Sequence, residues 1–203
     1  YRDFEVVVAD DGSAPETGAI VDSMARESPF PLARVWQPHE GFRLAAARNL
    51  AARSARGQIL VFTDGDCIPF PDALEAHAAR CAPGRAQTGS RCLLSGEETD
   101  QLLRSLVQPS GLEALARRRE APRLRRERWK NRFYAATRLK PRPKLLAANA
   151  ALHRDDFERV NGFDERLLLR WIWRAITSLP VPDSPVISTE ASLGAICSAK
   201  ARV

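Results

Sequence analysis

Two short acidic patterns carry the residues most able to do chemistry. The first is Asp10-Asp11 in "FEVVVADDGS", and the second is Asp64-x-Asp66 in "GQILVFTDGDCIPFP". Each closes an apolar, strand-forming run. Adjacent carboxylates repel, so such a pair is either a polar turn after a buried strand, for which Asp-Gly is ordinary chemistry, or a pair of oxygen ligands for a hard divalent cation. Mg²⁺ or Mn²⁺ bound this way keeps water and takes further ligands from substrate phosphates. A third group, Arg43 and Arg48 in "EGFRLAAARNLAARSARG", lies at the start of an Ala- and Leu-rich helix, where a guanidinium can pair with phosphate oxygens. Arg48 could equally bridge to a neighbouring loop, to Asp10 or Asp64.

These residues are positioned by alternating strands and helices. Phe4 to Ala9 reads as a buried strand closing on a turn at Asp10 to Ser13. "PETGAIVDSMARES" reads as a helix with Pro at its start, and "LARVWQ" as a second strand. The helix that follows is expected to end on Gly57 as its C-cap, and Ile59 to Thr63 forms a third strand. Further on, "DALEAHAARCA" is helical, "RAQTGSRCLLS" extended, and "LLAANAALHRDDFERVNGFDE" a strand, a short helix and a turn. Alternation of this kind predicts an α/β fold with a mostly parallel sheet covered on both faces. In such sheets ligands bind beyond the carboxyl ends of the strands, where both acidic patterns fall.

The chain has 203 residues, 44% hydrophobic and 28% charged, which fits one globular domain with a real core. There is no apolar run long enough to span a membrane, and Tyr1-Arg2-Asp3 does not open a secretory signal. Four cysteines without metal-ligand or paired spacing fit reduced thiols and a cytoplasmic setting. The net charge of +6 is concentrated in Arg117 to Lys144, where thirteen Lys/Arg face two Glu, interleaved with Trp129, Phe133 and Tyr134. That run is either a solvated helix and linker or a surface for an anionic membrane, a nucleic acid or a phosphorylated substrate. Nucleic-acid binding ranks last, because it leaves the paired carboxylates without a role.

Taken in order, "FEVVVADDGS", "EGFRLAAARNLAARSARGQILVFTDGDCIPFPDAL" and "LLAANAALHRDDFERVNGFDE" resemble the family 2 inverting glycosyltransferases of the GT-A, Rossmann-like nucleotide-diphospho-sugar transferase fold. The nearest variety is the bacterial group related to galactosyltransferases and chondroitin-polymerase-type domains. The resemblance implies a nucleotide-sugar donor, most readily a UDP-sugar, and a saccharide or lipid-linked acceptor in surface polysaccharide synthesis at the cytoplasmic face of a membrane. It implies that Asp10 and Asp11 face base and ribose, that Arg48 lies near the diphosphate, and that Gly41 and Asn49 shape the pocket. Asp64 would stand near ribose and metal-bound water, and Asp66 would be the direct ligand of Mn²⁺ or Mg²⁺. Asp164 and Glu165, in "NGFDE", would sit beside acceptor and donor sugar.

Two departures from the family pattern set further expectations. The first βα unit is expected to be lacking before Phe4. After Glu165 the segment Trp-Gly-x-Glu-Asp, which supplies the general base in the family, is replaced by "LLLRWIWRAITSLPVP". Residues 1–169 are therefore read as an incomplete GT-A domain with a basic insertion at 117–144, and 170–203 as a divergent, poorly packed tail. Besides an active transferase, the alternative is an impaired remnant that at most binds nucleotide-sugar.

Overall fold

The computed structural model describes residues 1–104, 109–137 and 147–166, together with the backbone of 186–188 and 194–199. The elements run β1 (Phe4–Asp10), α1 (Pro15–Glu27), β2 (Leu32–Trp36), α2 (Leu44–Ser54), β3 (Ile59–Asp64), β4 (Cys67–Ile68), α3 (Ala73–Arg80), β5 (Gln87–Thr88) and β6 (Arg91–Leu93). They continue with α4 (Gly96–Leu103), α5 (Pro109–Thr137), β7 (Asn149–His153), α6 (Arg154–Arg159), β8 (Val186–Ser188) and β9 (Gly194–Ala199).

A six-stranded sheet has the order β2-β1-β9-β3-β7-β5, and a small sheet the order β4-β8-β6. In the large sheet β1 pairs parallel with β2, whereas β9 runs antiparallel to both β1 and β3, and β7 runs antiparallel to β3 and β5. Strands β2, β1, β3 and β5 thus share one direction, and their carboxyl ends meet at one edge. Asp10 closes β1 and Asp64 closes β3 there.

The core explains why β3 reads as an unbroken apolar run. Successive side chains of a strand point to opposite faces. Leu60 and Phe62 pack with Ala47 and Ala51 of α2, while Ile59 and Val61 pack with Leu74 and Ala78 of α3. Helices therefore cover both faces, and a strand buried on both sides has no polar alternation to show. Phe62, fully buried, also meets Phe163 edge-on at 5.1 Å and Phe157 at 5.6 Å. Burying such a ring stabilises by about 1.5–3 kcal/mol, and it fixes the turn after α6 against the sheet.

One expectation is corrected. The second helix does not end on Gly57: α2 stops at Ser54, with Ala55 extended as its C-cap. Its terminal carbonyls are closed by Arg154 instead, whose guanidinium donates to the oxygens of Ala52 (3.0 Å), Ala55 (2.6 Å) and Gly57 (2.9 Å). A cation there also opposes the negative end of the helix dipole. Within 170–203, residues 186–188 and 194–199 are strands: β9 lies between β1 and β3, and β8 joins β4 to β6. The physical reason is that two facing strand edges each present a row of backbone N–H and C=O groups. An extended segment satisfies both rows whatever its side-chain pattern. Trp171 to Trp173 lie outside the described residues. Among those described, no helix is long and apolar enough to cross a membrane.

Candidate active site

β9 sets the spacing of the two acidic patterns. Ala9 and Asp64 both pair with Gly194, so the carboxyl ends of β1 and β3 are level and two strand spacings apart, roughly 10 Å.

On the β1 side the two aspartates do different things. Asp10 has a fully buried side chain that accepts from the Ser13 N–H (2.8 Å) and from Arg34 Nη1 (2.9 Å). Burial alone would raise its pKa. The Ser13 backbone bond and the Arg34 guanidinium outweigh that, holding the carboxyl below its ordinary value. Asp11 is half-buried and organises the loop before α2, accepting from Gln37 Nε2 (2.5 Å) and from the Arg43 N–H (3.1 Å). His39 Nδ1 lies 3.1 Å from the Asp11 carbonyl oxygen. Gly12, at φ +86°, runs so close under His39 that a Cβ has no room. Gly41, at φ +82°, makes the turn that leads into α2.

On the β3 side, Arg48 projects from the first turns of α2 and pairs through Nη2 with Asp64 Oδ1. Its side chain is 3% exposed and that of Asp64 25%. Burial pushes the Arg48 pKa below its ordinary value, opposed by the neighbouring Asp64 carboxylate. The guanidinium also stands 5.9 Å from the centre of the Phe163 ring. Of the two partners left open for Arg48 by the sequence, the structure therefore has Asp64. Asp66 is half-buried, and the Cys67 thiol donates to its Oδ1 at 3.5 Å. Asp64, Asp66 and Cys67 present potential ligand atoms all within 4.8 Å of one another. Two carboxylates at that spacing suit a hard divalent cation, so the residues fit Mg²⁺ or Mn²⁺; the thiol is a softer third neighbour.

Asn49, one residue along α2, ties in the third segment. Its Nδ2 donates to the Phe163 carbonyl (2.9 Å) and to Glu165 Oε1 (2.7 Å), and its Oδ1 accepts from the Phe163 N–H (2.9 Å). The chain reaches this clamp through two consecutive left-handed residues, Asn161 at φ 61° and Gly162 at φ 67°. A Cβ on Gly162 would stand 2.6 Å from Asn49 Oδ1, so only glycine admits the clamp. Glu165 is thereby fastened to α2 at the residue that follows Arg48. Asp164 is directed elsewhere: it accepts from Arg166 Nη2 at 2.9 Å, and that guanidinium holds its pKa down at about 2.

The structure thus joins Arg48, Asn49, Asp64, Asp66 and Glu165 on one side of the sheet edge and Asp10, Asp11 and the Gly41 loop on the other. Sequence reasoning overlooked Arg34, Gln37 and Cys67. Two of them carried a readable signal: Gln37 directly follows β2 at the same sheet edge, and Cys67 directly follows Asp66.

Comparison with known proteins shows the family. The family model "Glycosyl transferase family 2" matches residues 1–160. A validoxylamine A glucosyltransferase of Streptomyces hygroscopicus subsp. jinggangensis is 34% identical over 173 residues, covering 81% of this chain and 40% of that protein. An uncharacterized glycosyltransferase, YfnE, of Bacillus subtilis is 37% identical over 76 residues, covering 37% of this chain and 19% of its own length. The chondroitin synthase of Escherichia coli is 39% identical over 69 residues, covering 34% of this chain and 10% of the synthase. The chain spans about two fifths of the length of the validoxylamine A glucosyltransferases it matches. With the family model covering most of its length and the paired acids at the shared sheet edge, the chain belongs to glycosyl transferase family 2.

Proposed function

We propose that this chain holds the donor site of an inverting glycosyltransferase that moves a sugar from a nucleoside-diphosphate donor, a UDP-sugar, to a saccharide or lipid-linked acceptor in surface polysaccharide synthesis. The observation that carries the reading is the Arg48–Asp64 ion pair with Asp66 two residues on, at the carboxyl edge of the sheet. Asp11 and the Gly41 loop would border base and ribose, and Asp10, buried on Arg34, would act by holding that turn in place. Asp66, with Asp64 beside it, would hold Mn²⁺ or Mg²⁺, which supplies Lewis-acid stabilisation of the leaving diphosphate.

Arg48 adds a fixed positive charge on the same side. Its guanidinium is already oriented by Asp64 and by the Phe163 ring, so little reorganisation is needed when phosphate charge develops. Glu165, held by Asn49, is the acceptor-side carboxylate available to take the hydroxyl proton; Asp164, with its pKa at about 2, is a poor base. The setting we infer is the cytoplasmic face of a membrane, with Arg117 to Lys144 turned toward anionic lipid. The pairing of Asp164 with Arg166 favours a second reading, in which the chain binds donor and turns it over poorly.

Thermal unfolding with UDP and Mn²⁺, separately and together, tests the proposal. Mn²⁺ should raise the stabilisation given by UDP, through preferential binding to the folded state, and Asp66→Ala should remove the metal-dependent part. Equal UDP affinity with and without metal would reduce the carboxylate pair to a turn. Binding without product release from UDP-glucose and other UDP-hexoses would favour the second reading.

A further inference from the structure

We infer that one face of α5 is a bilayer-docking surface in which Trp129 and Phe133 enter the headgroup region while arginines engage anionic lipid phosphates. This rests on the reading, given above, that the basic run faces a membrane, and it specifies how contact is made.

The helix is anchored at its beginning. Ala116 and Glu120 are buried, Arg117 lies 5.0 Å over the Phe70 ring, and Arg119 reaches Glu98 (2.8 Å) and the Leu93 carbonyl (2.9 Å). At ~100° per residue, Arg118, Arg125, Arg126, Trp129, Arg132 and Phe133 fall within about 120° of arc, opposite Ala116 and Glu120. All six are exposed, Trp129 by 74% and Phe133 by 58%. The face runs for about 22 Å at 1.5 Å per residue.

Its composition decides the partner. Four guanidiniums with two large aromatics one turn apart are the chemistry of an interfacial helix, apolar bodies at the headgroup boundary and cations at the phosphates. Arg132 stands 5.8 Å over the Trp129 ring, placing a phosphate-binding charge beside the inserting group. Single-stranded nucleic acid is held in a groove that tracks its backbone, and a convex helix face provides none. The α5 helix as a whole has nine Lys/Arg against three Glu, so attraction to anionic lipid is built in before insertion begins.

The test uses the full chain with vesicles of phosphatidylcholine alone, phosphatidylcholine with phosphatidylglycerol, and the latter with brominated acyl chains. The wild type should sediment with phosphatidylglycerol vesicles in a salt-sensitive manner and ignore pure phosphatidylcholine. Brominated lipid should quench tryptophan fluorescence by an amount lost in Trp129→Phe. Replacing Arg118, Arg125, Arg126 and Arg132 by Gln should weaken binding at least ~10-fold, with circular dichroism showing the fold retained. Trp129→Ala with Phe133→Ala should keep salt-sensitive attachment but weaken it. Binding without Trp129-dependent quenching overturns the insertion while leaving the membrane reading intact. No binding to phosphatidylglycerol vesicles overturns both, and so does displacement of the bound protein by a single-stranded oligonucleotide that itself needs the four arginines and Trp129.

Discussion

Arg48 and Asp64 form an ion pair whose two ends live in different media: the guanidinium is 3% exposed beneath the sheet edge and the carboxylate is 25% exposed at its rim. The pair is therefore a structural contact whose carboxylate end is open to the ligand of the proposed function. Asp66, two residues on, reaches the same rim from the turn that follows β3.

This asymmetry separates the two aspartates by their effect on folding. Asp64→Ala leaves a buried guanidinium without its carboxylate partner and should lower unfolding stability by about 1–3 kcal/mol, reduced from the fully buried case because water reaches Asp64. Asp66→Ala should cost under about 1 kcal/mol. Both should abolish metal-dependent UDP binding. Urea unfolding supplies the comparison, and equal losses in the two variants would mean that Asp66 is also a structural residue.

A second prediction concerns the clamp between α2 and the turn after α6. Asn49→Ala removes three hydrogen bonds, two of them to the buried backbone of Phe163, a loss of about 2–4 kcal/mol. Gly162→Ala forces a Cβ against Asn49 Oδ1 at φ 67°, with an expected loss of about 1–3 kcal/mol. Because the first change removes the atom that obstructs the second, the double variant should lose less than the sum of the two. Strict additivity in the cycle would show that the two residues do not meet.

How far the sequence foretold this site follows from where its information lies. β1, β3 and α2 were legible because each is specified locally, by an unbroken strand-forming run or by Ala-rich helical residues. The Asn161-Gly162 turn was recognisable as a turn for the same reason. The Asn49 clamp was not, since its partners lie 114 and 116 residues away and no local pattern records them. The same holds for Arg154 closing α2 from the far side of the chain. Strands β8 and β9 escaped reading because facing strand edges place them through backbone pairing, and such pairing leaves no side-chain period to detect. The basic run was readable as a solvated helix and linker, but nine cations and an internal Pro122 left no apolar period from which the 29-residue length of α5 could be read.

The buried Asp10 gives a pH prediction. Its folded pKa lies below the ordinary value of 3.8, because the Ser13 N–H and Arg34 overcome the opposing effect of burial. A carboxyl with a depressed folded pKa binds fewer protons folded than unfolded, so its stabilising contribution is complete above the unfolded pKa and is lost as pH falls through the folded one. Stability measured by urea between pH 7 and pH 2 should therefore fall below about pH 4. Asp10→Asn should be less stable at pH 7 and should show a shallower fall. A variant with an unchanged acid slope would show that Asp10 is not a source of the acid sensitivity.

The two carboxylates of the "NGFDE" turn should divide sharply in catalysis. Asp164 is paired with Arg166 and has its pKa at about 2, so at neutral pH it has little tendency to take up a proton. Glu165 is held at 2.7 Å from the amide of Asn49, the residue of α2 that follows Arg48. A sugar hydroxyl is a weak nucleophile, and removal of its proton by a placed carboxylate contributes ~10²- to 10⁴-fold to rate. Glu165→Gln should then reduce sugar transfer by about that factor while UDP–Mn²⁺ binding stays within about twofold. Asp164→Asn should change transfer by less than about tenfold. Asn49→Asp, which places a second negative charge against Glu165, should lower transfer and shift its acidic pH limb upward, since a neighbouring like charge raises a carboxyl pKa. If Glu165→Gln retains full transfer, proton removal falls to a different group; if wild type and variant alike bind UDP–Mn²⁺ and release no product from any UDP-hexose, the chain is a donor-binding module.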